Sequence, residues 1–294
     1  MFSDFTVKKI VVPTDFSESA DLAIKHAVEI AQKFDARLHL IHVVEKGPYH
    51  GMIAPSKKTG YDEMDVAKQK LQEDANELEE KTGLNVTQYV AIGRIHDEIV
   101  LSAEEKNADL IVMGTHGANG WEEFFIGSNA YKVVTQAPCP VLSIQESATR
   151  TTLENIVLPI DETPESRQKV KQAAGIAKKF GATIHIASLL KEDNEVNRYE
   201  FKLRVKQITE YLDKEDISYS ENVLVGSNFA TMTMNFAESK KANLIVMMTE
   251  QEATLSGFLI GPFAQQVVNH SRIPVLSVSP EDLTSGSSGF QTLG

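Results

Sequence analysis

The sequence predicts an α/β protein made of two tandem, doubly wound, five-stranded parallel sheets of the Rossmann-like type. The first observation is an internal repeat, because Asp109–Ile144 and Asn243–Val278 align without a gap at an offset of 134, with 15 identities in 36 positions. The second is that each repeat alternates short apolar runs with amphipathic helical patterns. Strands that alternate with helices are typical of parallel sheets with right-handed crossovers. We therefore expect each repeat to form one such sheet.

The strands of the first repeat are predicted from continuous apolar runs, because a parallel strand is buried on both faces. These runs are Lys9–Pro13, Arg37–Val44, Val86–Ile92, Asp109–Met113 and Val141–Ile144. Between the first two runs, a helical stripe of small and apolar residues extends from Ala20 to Phe34, with Ser17 as its predicted N-cap. In the second repeat, Thr163 and Pro164 are expected to be the equivalent N-cap and first helical residue.

Length and composition limit the function classes. A chain of 294 residues accommodates two domains, expected at 1–146 and 153–282 and followed by a disordered tail at 283–294. The formal net charge of −12 argues against a nucleic acid or a membrane as partner, because no basic stripe is present. The N-terminus has no apolar signal core, which predicts a cytoplasmic location. The single cysteine, Cys139, excludes an internal disulfide framework.

A glycine pattern follows the fourth predicted strand of the first repeat. Gly114-x-x-Gly117 is followed, after nine residues, by Gly127-Ser128. This spacing predicts a phosphate-binding loop, since glycine permits positive φ and close approach, and the start of a helix presents free N–H groups and a positive dipole. The second repeat has side chains unsuited to that role at the corresponding positions: Met248, Gln251 and Pro262. We therefore predict one phosphate site per chain.

Asp15 closes the first strand, at the same edge of the sheet as Gly114. Ligands of such sheets bind at the carboxyl ends of the strands, so the two residues can belong to one pocket. A second interpretation of Asp15 is that it caps the first helix, because the aspartate recurs as Asp161 in the repeat that has lost the glycines. Similarly, His116 either assists at a phosphate or is only a solvent-facing side chain of the loop.

The chain resembles the universal stress protein family over nearly its whole length, as two tandem domains. The motifs that carry the resemblance are VVPTDFS, LHLIHVV, the glycine turn at Ile92-Gly93, LIVMGTHG, IGSNA and CPVLSI. The Gly-x2-Gly-x9-Gly-Ser spacing, with Pro-Thr-Asp at the end of the first strand, is similar to the ATP-binding branch of that family. The resemblance implies a universal stress protein-like fold and an ATP site in the first repeat.

The resemblance also implies roles for individual residues. Those around the adenosine end of the nucleotide would be Pro13, Thr14, Asp15 and Val43. Those along the ribose and phosphate path would be Met113, Gly114, His116 and Gly117. Those that hold the terminal phosphates would be Gly127, Ser128, Asn129 and Ala130. A divalent ion, Mg²⁺ or Mn²⁺, would bridge the phosphate oxygens of ATP, ADP or AMP without protein side chains as ligands.

Family members commonly pair through the last strand, so the resemblance implies an internal pseudo-dimer between Pro140–Ile144 and Pro274–Val278, and leaves open a homodimer of two chains. We expect an ATP-binding stress-response regulator with no catalytic residue, because no general base or nucleophile stands out near the loop. The second domain would be structural or serve for pairing. The alternatives are a slow ATP hydrolase or nucleotide-transfer enzyme on the same fold, and a nucleotide-independent partner-binding protein.

Overall fold

A computed structural model describes residues 5–45, 60–115, 126–249, 251–254 and 257–280. Within these ranges the chain forms two compact units. The first unit contains the described parts of 7–152 together with residues 268–277, and the second contains residues 5–6, the described parts of 153–267, and residues 278–280. Each unit therefore includes an end segment that belongs, by sequence, to the other repeat.

The first unit contains the five predicted strands with their helices. In chain order the elements are β1 (Lys9–Pro13), α1 (Glu18–Phe34), β2 (Arg37–Glu45), α2 (Gly60–Thr82), β3 (Val86–Gly93), α3 (Ile95–Lys106), β4 (Leu110–Gly114), α4 (Ser128–Gln136) and β5 (Val141–Ile144). The strand order is β3-β2-β1-β4-β5, and every pair is parallel. This order reverses at β1, where the chain crosses from one side of the sheet to the other. The predicted doubly wound α/β fold is confirmed.

The second repeat follows the same pattern with changes, and its last two elements include residues 268–277, which belong to the first unit. Its elements are β6 (Asn155–Ile160), a 3₁₀ turn (Glu165–Arg167), α5 (Val170–Phe180), β7 (Thr183–Leu190), α6 (Glu195–Lys214), β8 (Tyr219–Val225), α7 (Phe229–Ser239), β9 (Leu244–Met248), β10 (Gln251–Thr254), β11 (Gly257–Ile260), α8 (Pro262–His270) and β12 (Val275–Val278). Strands β9-β6-β7-β8 are parallel neighbours. The antiparallel hairpin β10-β11 lies where the first repeat has its glycine-rich loop, and the sequence did not predict it.

Within the first unit, residues 275–277 of strand β12 pair with β5. The pairing is antiparallel, with Leu276 opposite Leu142 and Val275 opposite Ser143. These four side chains are buried, at 0–2% exposure. The predicted pairing of Pro140–Ile144 with Pro274–Val278 is thus confirmed, and β5 has a partner on each side instead of an open edge.

Helix α1 starts as predicted, whereas its counterpart α5 does not. The Ser17 hydroxyl accepts a hydrogen bond from the Ala20 N–H at 3.2 Å, which makes Ser17 the N-cap. The expectation that Thr163 and Pro164 begin the equivalent helix is wrong, because α5 begins at Val170 after the 3₁₀ turn. The Thr163 hydroxyl instead donates to Asp161 Oδ1 at 2.5 Å, and this turn delays the helix.

The linker between the repeats is attached to α1 of the first unit. His26, 1% exposed, donates from Nε2 to the Ala148 carbonyl oxygen at 2.9 Å. Burial lowers the pKa of His26, an effect that the hydrogen bond to Ala148 partly opposes. In the second unit, the N-terminal stretch lies against α5, where a Cβ on Gly175 would come within 2.9 Å of Phe5.

Candidate nucleotide site

The first unit has a cavity of about 450 Å³ at the carboxyl ends of β1, β2 and β4. Ten of the twelve predicted site residues line it, namely Pro13, Thr14, Asp15, Val43, Met113, Gly114, Gly127, Ser128, Asn129 and Ala130. His116 and Gly117 lie outside the described residues, as does the tail predicted at 283–294. Lining residues that the sequence reasoning missed are Ala20, Ile41, Glu45, Ile95, Ile99 and Thr115. Glu45 is the last residue of β2, and Thr115 directly follows β4. Their positions at the carboxyl ends of strands are the sequence signal that could have identified them.

Local hydrogen bonds shape the turn between β1 and α1. The Thr14 hydroxyl accepts from the Phe16 N–H at 3.0 Å, and Asp15 Oδ1 accepts from the Ser17 N–H at 3.1 Å and from its hydroxyl at 2.5 Å. Phe16 has φ of 64°, an uncommon value for an aromatic residue. Asp15 therefore supports the turn, while Ser17 caps the helix. This structural role does not remove Asp15 from the cavity wall.

A stack of side chains holds Phe16 in that conformation. Its ring lies on the His42 imidazole, with centroids 4.6 Å apart, and the Lys70 ammonium of α2 lies 4.4 Å from the ring centroid. His42 Nδ1 donates to the Thr14 carbonyl oxygen at 2.8 Å. The turn is consequently connected to β2 and α2, which fixes Thr14 at the mouth of the cavity.

The start of α4 forms the opposite wall. Gly127 is the N-cap, and its own N–H donates to the Thr115 carbonyl oxygen at 2.7 Å. Among the described residues, no side chain caps this helix, so the N–H groups of its first turn, at Ser128, Asn129 and Ala130, have no intrahelical partner. These three residues line the cavity, and the positive end of the helix dipole points to it. His96 supports this wall, since its Nδ1 lies 3.4 Å from Asn129 Oδ1.

Two of the glycines in the pattern also have a packing role. The expectation of positive φ is wrong for Gly114 and Gly127, because Gly127 has φ of −59° and the described glycines with positive φ are others. A Cβ on Gly114 would lie 2.4 Å from Ser19 Oγ and 3.1 Å from the Ser19 carbonyl oxygen. A Cβ on Gly127 would lie 3.1 Å from the Thr115 carbonyl oxygen. Both glycines therefore permit close packing of the chain on itself.

The charges of the cavity favour a ligand accompanied by a cation. Asp15 and Glu45 line it, whereas no lysine or arginine among the described residues does. Among the residues that the structure describes, no group of three or more His, Cys, Asp or Glu side chains is arranged to hold a metal ion. Cys139 is not a candidate nucleophile, because burial, aided by the Asp109 charge, raises the pKa of its thiol to about 12. The described lining thus offers backbone donors, two carboxylates and apolar side chains.

Comparisons with known proteins match both repeats. The model of the universal stress protein family matches residues 6–145 and 152–279. Universal stress protein MJ0531 of Methanocaldococcus jannaschii is 39% identical over 146 residues, which cover 47% of this chain and 82% of that protein. Universal stress protein MJ0577 of the same organism is 31% identical over 153 residues, which cover 47% of this chain and 94% of that protein.

A solved structure shares the fold over the full length. The crystal structure of a universal stress protein from Archaeoglobus fulgidus covers 95% of this chain and 98% of its own, with a TM-score of 0.74 and 18% identity. This likeness concerns the fold alone. Within the described residues, no helix is both long enough and apolar enough to span a membrane.

Proposed function

The chain belongs to the universal stress protein family, and from this premise we propose that it is a cytoplasmic stress-response regulator that binds one ATP in its first unit. ADP or AMP would occupy the same cavity with fewer contacts. The second repeat would contribute strand β12 to the first unit rather than a second phosphate site. Function would then depend on whether the first cavity is occupied.

The observation that carries this proposal is the start of α4, which no side chain among the described residues caps and which lines a cavity of about 450 Å³. Free N–H groups at a helix start, together with the dipole, form an anion site that needs no charged side chain. The lining also includes the apolar side chains of Ile41, Val43 and Met113. A ligand that combines a flat apolar ring with phosphates fits this lining.

The residues would act in three groups. Pro13, Thr14, Asp15 and Val43 would surround adenosine, and Met113 and Gly114 would border the ribose. Ser128, Asn129 and Ala130 would donate backbone N–H groups to the phosphates, with Gly127 setting the start of the helix. His116 and Gly117 complete the proposed set.

A divalent ion would accompany the nucleotide. Asp15 and Glu45 both add negative charge to the wall, so a triphosphate needs neutralisation from its own Mg²⁺ or Mn²⁺. Binding rather than turnover is the proposed activity, because the described lining includes no group placed as a general base with a nucleophile.

The test is a charge placed at the start of α4. Ser128→Asp should weaken ATP binding at least 100-fold, since two like charges about 4 Å apart repel by ~4 kcal/mol at the effective dielectric of a protein surface. The fold should be preserved, because an acidic residue in the first turn of a helix is favourable. Titration calorimetry with ATP and Mg²⁺ measures the affinity, and circular dichroism with urea unfolding checks the fold.

The matched control is Ser128→Ala, which removes the hydroxyl but retains the backbone N–H. Its affinity should stay within about tenfold of the wild type, the effect of one hydrogen bond. Equal binding by Ser128→Asp and the wild type would show that the phosphates are not at α4. A wild-type chain that binds no ATP would contradict the proposal as a whole.

A further inference from the structure

The second unit contains its own cavity, of about 310 Å³, at the carboxyl ends of β6 and β9. Asp161, which follows β6, and Met247 and Met248, which end β9, lie on its wall. Asp161 and Met247 are the counterparts of Asp15 and Met113 in the alignment of the two repeats. The second repeat has therefore kept a cavity at the corresponding edge of its sheet, although it has lost the glycine loop.

The chemistry of this cavity is unsuited to phosphate. Met248 replaces Gly114 and is 6% exposed, and Pro262, the first residue of α8, has no N–H to donate. Asp161 and Glu165 place two carboxylates on the wall, and Lys169 places one ammonium there. The formal charge of these three groups is −1, which disfavours an anionic ligand. The ligand should therefore carry no negative charge.

The two carboxylates are hydrogen-bond acceptors. Asp161 Oδ1 accepts from the Thr163 N–H at 2.8 Å and from its hydroxyl at 2.5 Å, and within the described chain Asp161 Oδ2 has no hydrogen-bond donor. The Glu165 carboxylate likewise accepts no hydrogen bond from the residues that the structure describes. Ionised carboxylates only accept, so the ligand must supply O–H or N–H groups.

Lys169 is part of the frame of the cavity. It is 2% exposed, and its ammonium donates to the Ser166 carbonyl oxygen at 2.6 Å and lies 3.4 Å from the Ser166 hydroxyl. The Ser166 hydroxyl in turn accepts from the Asp161 N–H at 3.0 Å. These bonds join the turn after β6 to the start of α5, so the backbone that carries Asp161 and Glu165 is held in place.

The remaining wall is suited to a flat ring. Met247 and Met248 contribute thioethers, and Phe263 contributes an aromatic ring that meets Phe229 edge to face, with centroids 6.1 Å apart. Thioether sulfur makes favourable contacts with aromatic rings, and unbranched methionine adapts to the shape of a ligand. A heteroaromatic ring could lie between these side chains while its polar groups reach the carboxylates.

We propose that this cavity is a second ligand site, for an uncharged nucleoside without phosphate. The ring would pack against Met247, Met248 and Phe263, and the sugar hydroxyls or exocyclic amine would donate to Asp161 and Glu165. The inference depends on the walls of this cavity alone. It holds whether or not ATP binds in the first unit.

The experiment uses the full chain with ¹³C-methyl methionine and adenosine as the probe. Met113 reports on the first cavity, and Met247 and Met248 report on the second, so one spectrum separates the two sites. Methionine-to-leucine substitutions assign the signals. Adenosine should shift the Met247 and Met248 methyl signals saturably, whereas ATP with Mg²⁺ should leave these two unchanged. The ATP titration at Met113 tests the proposed function separately.

Variants at the 3₁₀ turn test the recognition. Glu165→Gln should weaken adenosine binding at the second cavity about tenfold, because a charged acceptor is replaced by a neutral one. Glu162→Gln is the matched control, since Glu162 lies three residues before Glu165 but does not line the cavity, and it should bind as the wild type does. The proposal is wrong if adenosine leaves Met247 and Met248 unshifted, if ATP shifts them as strongly, or if Glu165→Gln has no effect.

Discussion

Gly114→Ala is the substitution that best separates packing from ligand binding. An added Cβ would lie 2.4 Å from Ser19 Oγ, 3.1 Å from the Ser19 carbonyl oxygen and 3.2 Å from its carbonyl carbon. The first distance is far inside contact, so the Ser19 side chain must shift, and the two backbone distances require α1 to give by a few tenths of an ångström. Overpacking of this kind costs about 1–3 kcal/mol, and a collision that involves backbone atoms belongs in the upper half of that range. We expect the free energy of unfolding to fall by about 2–3 kcal/mol in the absence of nucleotide.

The partner residue provides a rescue. Ser19 Oγ is buried and has no hydrogen-bond partner among the described residues, so Ser19→Ala alone should change the stability by less than about 0.5 kcal/mol. In the double variant the 2.4 Å contact is gone and only the two backbone contacts remain. The cost of Gly114→Ala should then drop to about 1 kcal/mol, a coupling of roughly 1–2 kcal/mol.

Urea unfolding of the four proteins of this cycle measures the coupling. Gly127→Ala is the control, because among the described residues its Cβ would meet only the Thr115 carbonyl oxygen, at 3.1 Å, and Ser19→Ala should not rescue it. If Gly114→Ala is as stable as the wild type, or if Ser19→Ala does not relieve it, the packing argument is wrong. Gly114 would then be needed for ligand approach, as the sequence pattern suggested.

Two further predictions concern buried titratable groups. Burial lowers the pKa of His26, so the folded state binds fewer protons than the unfolded state, and stability should be complete above about pH 6.5 and decline as the pH falls below it. The test is His26→Gln, because glutamine occupies the aligned position, Gln172, of the second repeat. This variant should show a smaller change in the urea midpoint between about pH 5 and pH 7.5 than the wild type does. An equal change in the two proteins would contradict this prediction. Because burial raises the pKa of Cys139 to about 12, iodoacetamide at pH 8 should alkylate the native chain far more slowly than the chain unfolded in urea. Equal rates would show that the thiol is accessible.

The sequence by itself determined the repeat, the strands and most of the candidate site. A parallel strand buried on both faces leaves a continuous apolar run, so β1 and β5 match their predicted bounds. Strands β2 and β3 each end one residue later than predicted, and β4 is shifted by one residue at both ends. Parallel strands also end at one edge, which is why the amino-acid pattern alone could assign Asp15 and Gly114, distant in the chain, to one cavity. These features depend on local patterns of apolar and polar residues, which a single sequence is enough to show.

Only the tertiary structure decided which contacts those patterns serve. Gly114 packs closely against Ser19, which lies on α1. The Phe16 ring contacts His42 of β2 and Lys70 of α2. Spacing along the chain could not show any of these contacts. The loss of the glycine loop in the second repeat was visible in the sequence. Its replacement by a hairpin, and the cavity beside Lys169, were not. The physical reason is that a binding surface is formed by side chains from several elements, and their distances are set by packing rather than by local propensity.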